Sequence, residues 1–283
     1  MREHLEELLG EPVGRVHDLG ASHAWTLHRA ELRDGREVFV KALPRGTSSG
    51  VFAAEVAGLR WLGEAGPGAP LPDVLAADER MLVLPWLPSE PPSVAAAGRF
   101  GRALAELHAD SPGAFGAPWD GYIADLPLDN TLDEGPWARW YAERRLAPFL
   151  RQASEHLSRS DVRLVERVID KIEELAGPAE KPARIHGDLW SGNVQWTGGA
   201  ATLIDPAAHG GHRETDLAML ALFGCPHLDR ILAAYNESHP LSEGWRARVP
   251  LHQLHPLLVH VCLFGASYRS QTVQAAEAAL ALR

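Results

Sequence analysis

"ARIHGDLWSGNVQW", residues 183–196, sets a histidine, an aspartate, two glycines and an asparagine between two apolar margins. The margins read as strands. "NVQW" and "ATLIDP", joined at Gly198 and Gly199, form a hairpin by their turn dipeptide. Upstream, "SDVRLVERVIDKIEELAGP" places Val162, Val165, Ile169, Ile172 and Leu175 on one helical face, with Ser160 as N-cap and Gly177-Pro178 as the stop. A polar loop is thus strung between a helix and a hairpin, where the chain should be hardening into core. It carries Asp188 and Asn193, and Asp205 ends the following strand.

Working outward, residues 12–43 predict three short antiparallel strands, the last two turning at Asp34-Gly35. Phe52, Val56, Leu59 and Leu62 recur at helical spacing, so a helix packs on that sheet. Short strands are expected near Val74 and in "RMLVLPWL". "PSEPPS", residues 88–93, reads as a linker, and beyond it helices dominate: 95–108, then a loop over 111–136, then 137–150, and most of the chain from Glu214 onward. The expected fold is α+β in two lobes. Residues 1–87 would form an antiparallel sheet lobe with one helix, and residues 88–283 a mainly helical lobe.

The 283 residues, 46% hydrophobic, suffice for a packed core. The start, "MREHLEELLGEP", has no apolar signal region, and no later window approaches eighteen uncharged apolar residues, so neither export nor membrane insertion is expected and the cytoplasm is the default. Cys225 and Cys262 lack metal or redox spacing and read as core residues. With 27 basic against 37 acidic residues and no basic run, a nucleic-acid partner is excluded. The acidic balance favours a cationic or neutral substrate, and it also serves solubility.

His186-x-Asp188-x-x-x-x-Asn193 followed by Asp205 is similar to the catalytic loop and metal-binding aspartate of protein kinases. Phosphoryl transfer needs one carboxylate to take the proton of the attacking hydroxyl and hard oxygen ligands to hold magnesium. Asp188 suits the first task, Asn193 and Asp205 the second. His186 is expected to hold the loop. Lys41 ends the apolar run "VFV", and Glu55 falls on the apolar stripe of the next helix; each would be costly alone, and paired they anchor nucleotide phosphates. "MLVLPWLP" suits a hinge, with Leu84 behind an adenine, the Pro85 carbonyl as acceptor, Trp86 between, and the Leu87 N–H as donor. The turn "DLGASHAWT" offers only Gly20 where a glycine-rich phosphate loop belongs.

With "VFVKA", "FAAEVAGLRWL", "HGDLWSGNV", "LIDPAAHGGHRETDLAMLALFG" and "PLSEGWRARVPLHQLHPLLVHVCLFGASY", the chain resembles the fructosamine kinase (ketosamine 3-kinase) family, within the aminoglycoside phosphotransferase and choline kinase group of protein-kinase-like folds. The resemblance covers nearly the whole chain. It implies ATP and Mg2+ as cofactors, Asp188 as base, Asn193 and Asp205 as metal ligands, Lys41 and Glu55 as the phosphate anchor, residues 85–87 as the adenine contact, and Asp216 as a brace for the loop. It further implies transfer of the γ-phosphate to the 3-hydroxyl of a small-molecule or protein-bound ketosamine, with deglycation as the outcome. Trp190, Trp245 and Tyr268 are candidates for the substrate pocket. His209 and His212 interrupt the resemblance on the substrate side. The sugar (ribulosamine, erythrulosamine or fructosamine) and the choice between monomer and homodimer stay open, as do an aminoglycoside- or choline-type phosphotransferase and a nucleotide-binding pseudokinase scaffold.

Overall fold

Period-two alternation in the first ninety residues closes into one antiparallel sheet. The computed structural model describes residues 1–22, 24–44, 46–47 and 49–282. Helix α1 (Arg2–Leu9) is followed by β1 (Val13–Ser22), β2 (Trp25–Leu32) and β3 (Glu37–Ala42), then α2 (Val51–Gly63), β4 (Ala76–Ala77) and β5 (Met81–Pro85). The strands lie in the order β1-β2-β3-β5-β4, all neighbours antiparallel. Gly35, at φ 85°, makes the β2–β3 turn, and the Leu32 N–H bonds the Arg36 carbonyl at 2.8 Å. Val38, Val40, Met81 and Val83 pack with Leu5 of α1 on one face; Leu82 and Leu84 pack with Phe52, Val56 and Leu59 of α2 on the other.

The sheet region holds two helices where one was expected. The "HLEELLG" start winds into α1, with Gly10 at φ 71° as its C-cap. The strand expected near Val74 is a two-residue pairing at β4. The expected start of the second strand, His23, lies outside the described residues.

Beyond Pro85 the chain is mainly helical: α3 (Val94–Ala109), the hairpin β6 (Gly121–Ile123) and β7 (Leu126–Leu128), α4 (Trp137–Tyr141), a π-helical turn over Ala142–Leu146, α5 (Ala147–Ala153), α6 (Arg159–Asp170) and α7 (Ile172–Leu175). Then come β8 (Ala183–Ile185), β9 (Val194–Thr197), β10 (Ala200–Leu203), β11 (His209–Gly211), α8 (Arg213–Leu222), α9 (Leu228–Ser238), α10 (Trp245–Phe264) and α11 (Arg269–Leu280). The α6 cap is Ser158 instead of Ser160: the Asp161 N–H donates to Ser158 Oγ at 3.2 Å while Asp161 Oδ2 accepts from the Ser158 N–H at 2.8 Å. Only that position closes the reciprocal box with a carboxylate three residues on.

Helix α10 runs through Pro250 and Pro256. A proline removes the donor that the carbonyl four residues earlier requires. The buried Tyr141 hydroxyl covers the gap at Pro256, lying 3.3 Å from the His252 carbonyl and 3.2 Å from that of Leu251, and accepting the His255 N–H at 3.2 Å. The helical run Trp245–Leu280 is long and apolar enough to cross a membrane by length and composition, a test that a core helix also passes, and half of its most apolar eighteen-residue stretch is buried inside the protein. Cys225 and Cys262 are free and partly buried, packed against the edge of the core instead of within it.

Candidate active site

The loop 186–193 is framed by two short strand pairs, β8 with β11 and β9 with β10. Asp216, in the first turn of α8 and fully buried, ties its backbone: Oδ2 accepts the His186 N–H at 2.7 Å and Oδ1 the Gly187 N–H at 3.0 Å. His108 Nε2 lies 3.1 Å from the same carboxylate. Burial opposes the charge on Asp216, but the His108 and His186 contacts outweigh it and hold the carboxyl below its ordinary range. Gly187 adopts φ 81°, and a Cβ there would sit 2.3 Å from the Ala207 carbonyl oxygen, so only glycine fits. His186 Nε2–H donates to the Ile204 carbonyl at 2.9 Å, and its Nδ1 accepts the Asp188 N–H at 3.3 Å. Both ring nitrogens are thereby spent inside the loop, and burial lowers the imidazole's affinity for a second proton.

Asn193 Nδ2 donates to the Asp188 carbonyl at 2.8 Å and to Asp188 Oδ2 at 3.1 Å. This fixes the Asp188 side chain and turns Asn193 Oδ1 outward, with no hydrogen-bond partner among the described residues. Burial, then the nearby charge of Asp205, pushes the Asp188 carboxyl up to about 7, against the Asn193 bond. Asp205 follows β10 in a left-handed conformation, φ 58°, uncommon outside glycine. That twist brings its carboxylate to Lys41.

Lys41 Nζ donates to both oxygens of Glu55 at 2.8 Å and to Asp205 Oδ1 at 2.6 Å. Lysine and glutamate are both buried, and Asp205 stays open to solvent. Burial disfavours the ammonium, yet the two carboxylates outweigh it, so Lys41 remains charged. The Trp25 ring, 5.8 Å from Nζ, shields the pair, a position that sequence reasoning missed because a strand tryptophan reads as core. Asp205 keeps one oxygen without a described partner. Together with Asn193 Oδ1 it offers the hard, oxygen-only donors that suit Mg2+.

Asp188, Asn193, Asp205, Lys41, Glu55 and Trp190 all line one cavity of about 200 Å³. A second cavity, about 300 Å³, adjoins it at Asp205 and is lined by Phe39, Leu84, Pro85, Trp86, Leu87 and Ile204. The Trp86 N–H is taken by the Glu37 carbonyl at 3.0 Å. That bond makes Val38 and Pro85 a non-hydrogen-bonded pair, so the Pro85 carbonyl faces away from β3. The Trp86 ring lies under the Arg29 guanidinium, 4.6 Å from it.

The sugar-side candidates divide. Trp190 is 40% exposed at the cavity, and Gly192 makes room for it: a Cβ there would lie 2.1 Å from the indole. Trp245 is buried at the start of α10 and does not line the cavity; neither does Tyr268, which packs 4.7 Å from the His260 ring. The wall is supplied instead by Tyr122 of β6 and by His260, Leu263 and Phe264 of α10, which helical spacing could not tell from core. His209 and His212 lie in the core and not on a substrate loop. His209 Nδ1 donates to the Ala207 carbonyl at 2.8 Å, and His212 caps α8 by accepting the Glu214 N–H at 3.2 Å. His212, Glu214 and His252 also cluster within metal-binding reach. Arg248 already holds both Glu214 oxygens, at 2.9 and 2.6 Å.

A five-stranded sheet with a buried lysine–glutamate pair, a catalytic-type loop and a helical remainder defines a protein-kinase-like phosphotransferase. The fold is shared, at TM-score 0.68 over 100% of this chain and 99% of the other but only 14% identity, with an aminoglycoside phosphotransferase solved with AMP-PNP and hygromycin B. Within that class the chain belongs to the fructosamine kinase family, whose family model matches residues 4–282. It is similar to a structure from Thermobifida fusca YX-ER1 provisionally described as a fructosamine-3-kinase, with 55% identity, TM-score 0.96, and coverage of 100% of this chain and 99% of that one. It is also similar to a probable ketoamine kinase of Enterococcus faecium, 34% identical over 253 residues, spanning 86% of this chain and 87% of the relative.

Proposed function

We propose that this phosphotransferase moves the γ-phosphoryl group of ATP to the 3-hydroxyl of a ketosamine, opening a route to deglycation. The observation that carries the reading is the convergence of Asp188, Asn193, Asp205, Lys41 and Glu55 on one cavity, in a member of the fructosamine kinase family. In this reading Asp188 accepts the proton of the attacking hydroxyl, and its raised proton affinity brings it near neutral pH, where a general base works best. Lys41, steadied by Glu55, holds the donor's phosphates. Asn193 Oδ1 and the second Asp205 oxygen would hold Mg2+, which when bound offsets charge on the phosphates. His186 and Asp216 keep the loop in shape and touch no reactant.

The adjoining cavity suits an adenine, with the Pro85 carbonyl as acceptor, the Leu87 N–H as donor and the Trp86 N–H committed to the sheet. Residues 85–87 then divide the nucleotide lobe, 1–87, from the helical lobe, 88–283. Leu19 of β1 also lines that cavity, so the first strand borders the nucleotide side where a glycine-rich loop is lacking. ATP is an intracellular donor, which places the work in the cytoplasm.

An acceptor panel tests the reading. With ATP and Mg2+, ADP release is expected with ribulose-lysine, erythrulose-lysine or fructose-lysine, and not with kanamycin or choline. Turnover of either of the last two without any ketosamine would move the chain to an aminoglycoside- or choline-type activity. Nucleotide binding with no turnover of any of the five would leave the pseudokinase scaffold.

A further inference from the structure

We propose that His260 recognises the substrate's amine, through an Nε2 that can only accept a hydrogen bond. The inference rests on the ketosamine-kinase reading and names the group that tells a ketosamine from an ordinary sugar. His260 lies on α10 and lines the same cavity as Asp188. Its Nδ1 is 2.7 Å from the Pro256 carbonyl, and a carbonyl cannot donate, so the proton sits on Nδ1 and Nε2 carries a lone pair. Nε2 has no partner among the described residues, and it is not one of the side-chain atoms sealed from solvent without a partner. The ring cannot swing freely, being packed 4.8 Å from Phe223, 4.7 Å from Tyr268 and 5.6 Å from Phe264. Partial burial in these neighbours disfavours a second proton.

The rest of the wall makes the assignment specific. Glu55 and one Asp205 oxygen are bound to Lys41, Asp188 is held by Asn193 for the hydroxyl, and the second Asp205 oxygen and Asn193 Oδ1 are the pair assigned above to Mg2+. Of the remaining polar side chains lining the cavity, Ser22 and Tyr122 carry hydroxyls that donate as readily as they accept, and the Trp25 and Trp190 indoles can only donate. None of these distinguishes an amine from an ether oxygen. A neutral acceptor with no proton to give does, because it bonds an N–H and faces an ether oxygen lone pair to lone pair. A protonated amine gains most, through a charge-assisted bond. Among the described residues the lining contains no guanidinium, and its one ammonium, Lys41, is spent on two carboxylates, so a cation is the better guest. The exposed rings of Trp190 and Phe264 are placed to flank the carbon stem attached to that amine.

The test compares a 1-alkylamino-1-deoxyketose with the matching 1-alkoxy ketose, at saturating ATP, in the wild type and in His260→Phe. Phenylalanine keeps the ring packing and removes the acceptor. The wild type should favour the amine by about 10- to 100-fold in kcat/KM, mostly through KM, as one hydrogen bond to a charged group implies. His260→Phe should lose that preference with KM for ATP unchanged, and His260→Gln, whose carbonyl still accepts, should recover part of it. Equal treatment of amine and ether by the wild type, which needs no variant, would overturn the inference, as would a full preference surviving in His260→Phe. Failure of the wild type to phosphorylate either compound would defeat the ketosamine-kinase reading itself, and this inference with it.

Discussion

Asp188 is a liability to the ligand-free protein. Its carboxyl titrates at about 7 in the fold, against about 4 for an aspartate in an unfolded chain. Between those values the folded state keeps a proton that the unfolded state has lost, so stability falls as pH rises through the window and the full cost is present above it. Asp188→Asn should therefore raise the melting temperature near pH 8 by about 2–4 °C, on the order of 1 kcal/mol, with the gain fading below about pH 5. A thermal-shift series over pH checks this; equal melting at every pH would mean the carboxylate is not strained. The same titration governs the base: kcat/KM for the acceptor should climb about tenfold per pH unit below 7 and level off above it. Lys41→Met, by contrast, strips the cation from a buried glutamate. It should cost about 3–5 kcal/mol of stability and weaken ATP binding, read by chemical denaturation and nucleotide titration. Unchanged stability would break the pairing with Glu55.

At the level of elements, Gly192 and Tyr141 carry roles that no propensity reveals. Gly192→Ala puts a methyl into the Trp190 ring. Acceptor KM should rise about tenfold with ATP affinity intact, since the ring borders the acceptor and not the adenine cavity; an unchanged KM would remove Trp190 from the acceptor wall. Tyr141→Phe leaves the carbonyl opposite Pro256 and the His255 N–H without their hydroxyl, and should cost about 1–3 kcal/mol in a denaturant titration. The β2–β3 hairpin, α2, α3 and the β9–β10 hairpin were legible because turn dipeptides and clean periodicity act locally. The β6–β7 hairpin was not, being three-residue strands inside a Gly- and Pro-rich stretch that reads as loop. Nor was the π-helical turn at 142–146, whose sequence "AERRL" has ordinary helical composition. The α6 cap slipped by two residues because Ser158 and Ser160 are equally good caps until Asp161 is counted.

Across the whole molecule, what the sequence disclosed was order and spacing along the chain. His186, Asp188 and Asn193 fall within eight residues and could be read directly. Lys41 on β3 and Asp205 just after β10, 164 positions apart, meet at one cavity; that a buried lysine needs an anion foretold Glu55 of α2 as its partner, but not Asp205. The acceptor wall stayed hidden for the same reason in reverse. His260 and Phe264 sit on a helix that is mostly core, and only the end of α10 turning toward the catalytic loop separates them from Trp245 and Tyr268, which do not reach the cavity.

The most direct measurement is ADP release from ATP and Mg2+ with a ketosamine acceptor, in the wild type and in Asp188→Asn, paired with nucleotide titration of both proteins. Acceptor-dependent turnover falling by at least about 100-fold in the variant, with ATP affinity unchanged, is the predicted result for a base that acts on the hydroxyl alone. Turnover that survives Asp188→Asn, or an equal loss of nucleotide binding, would contradict the assignment of the loop.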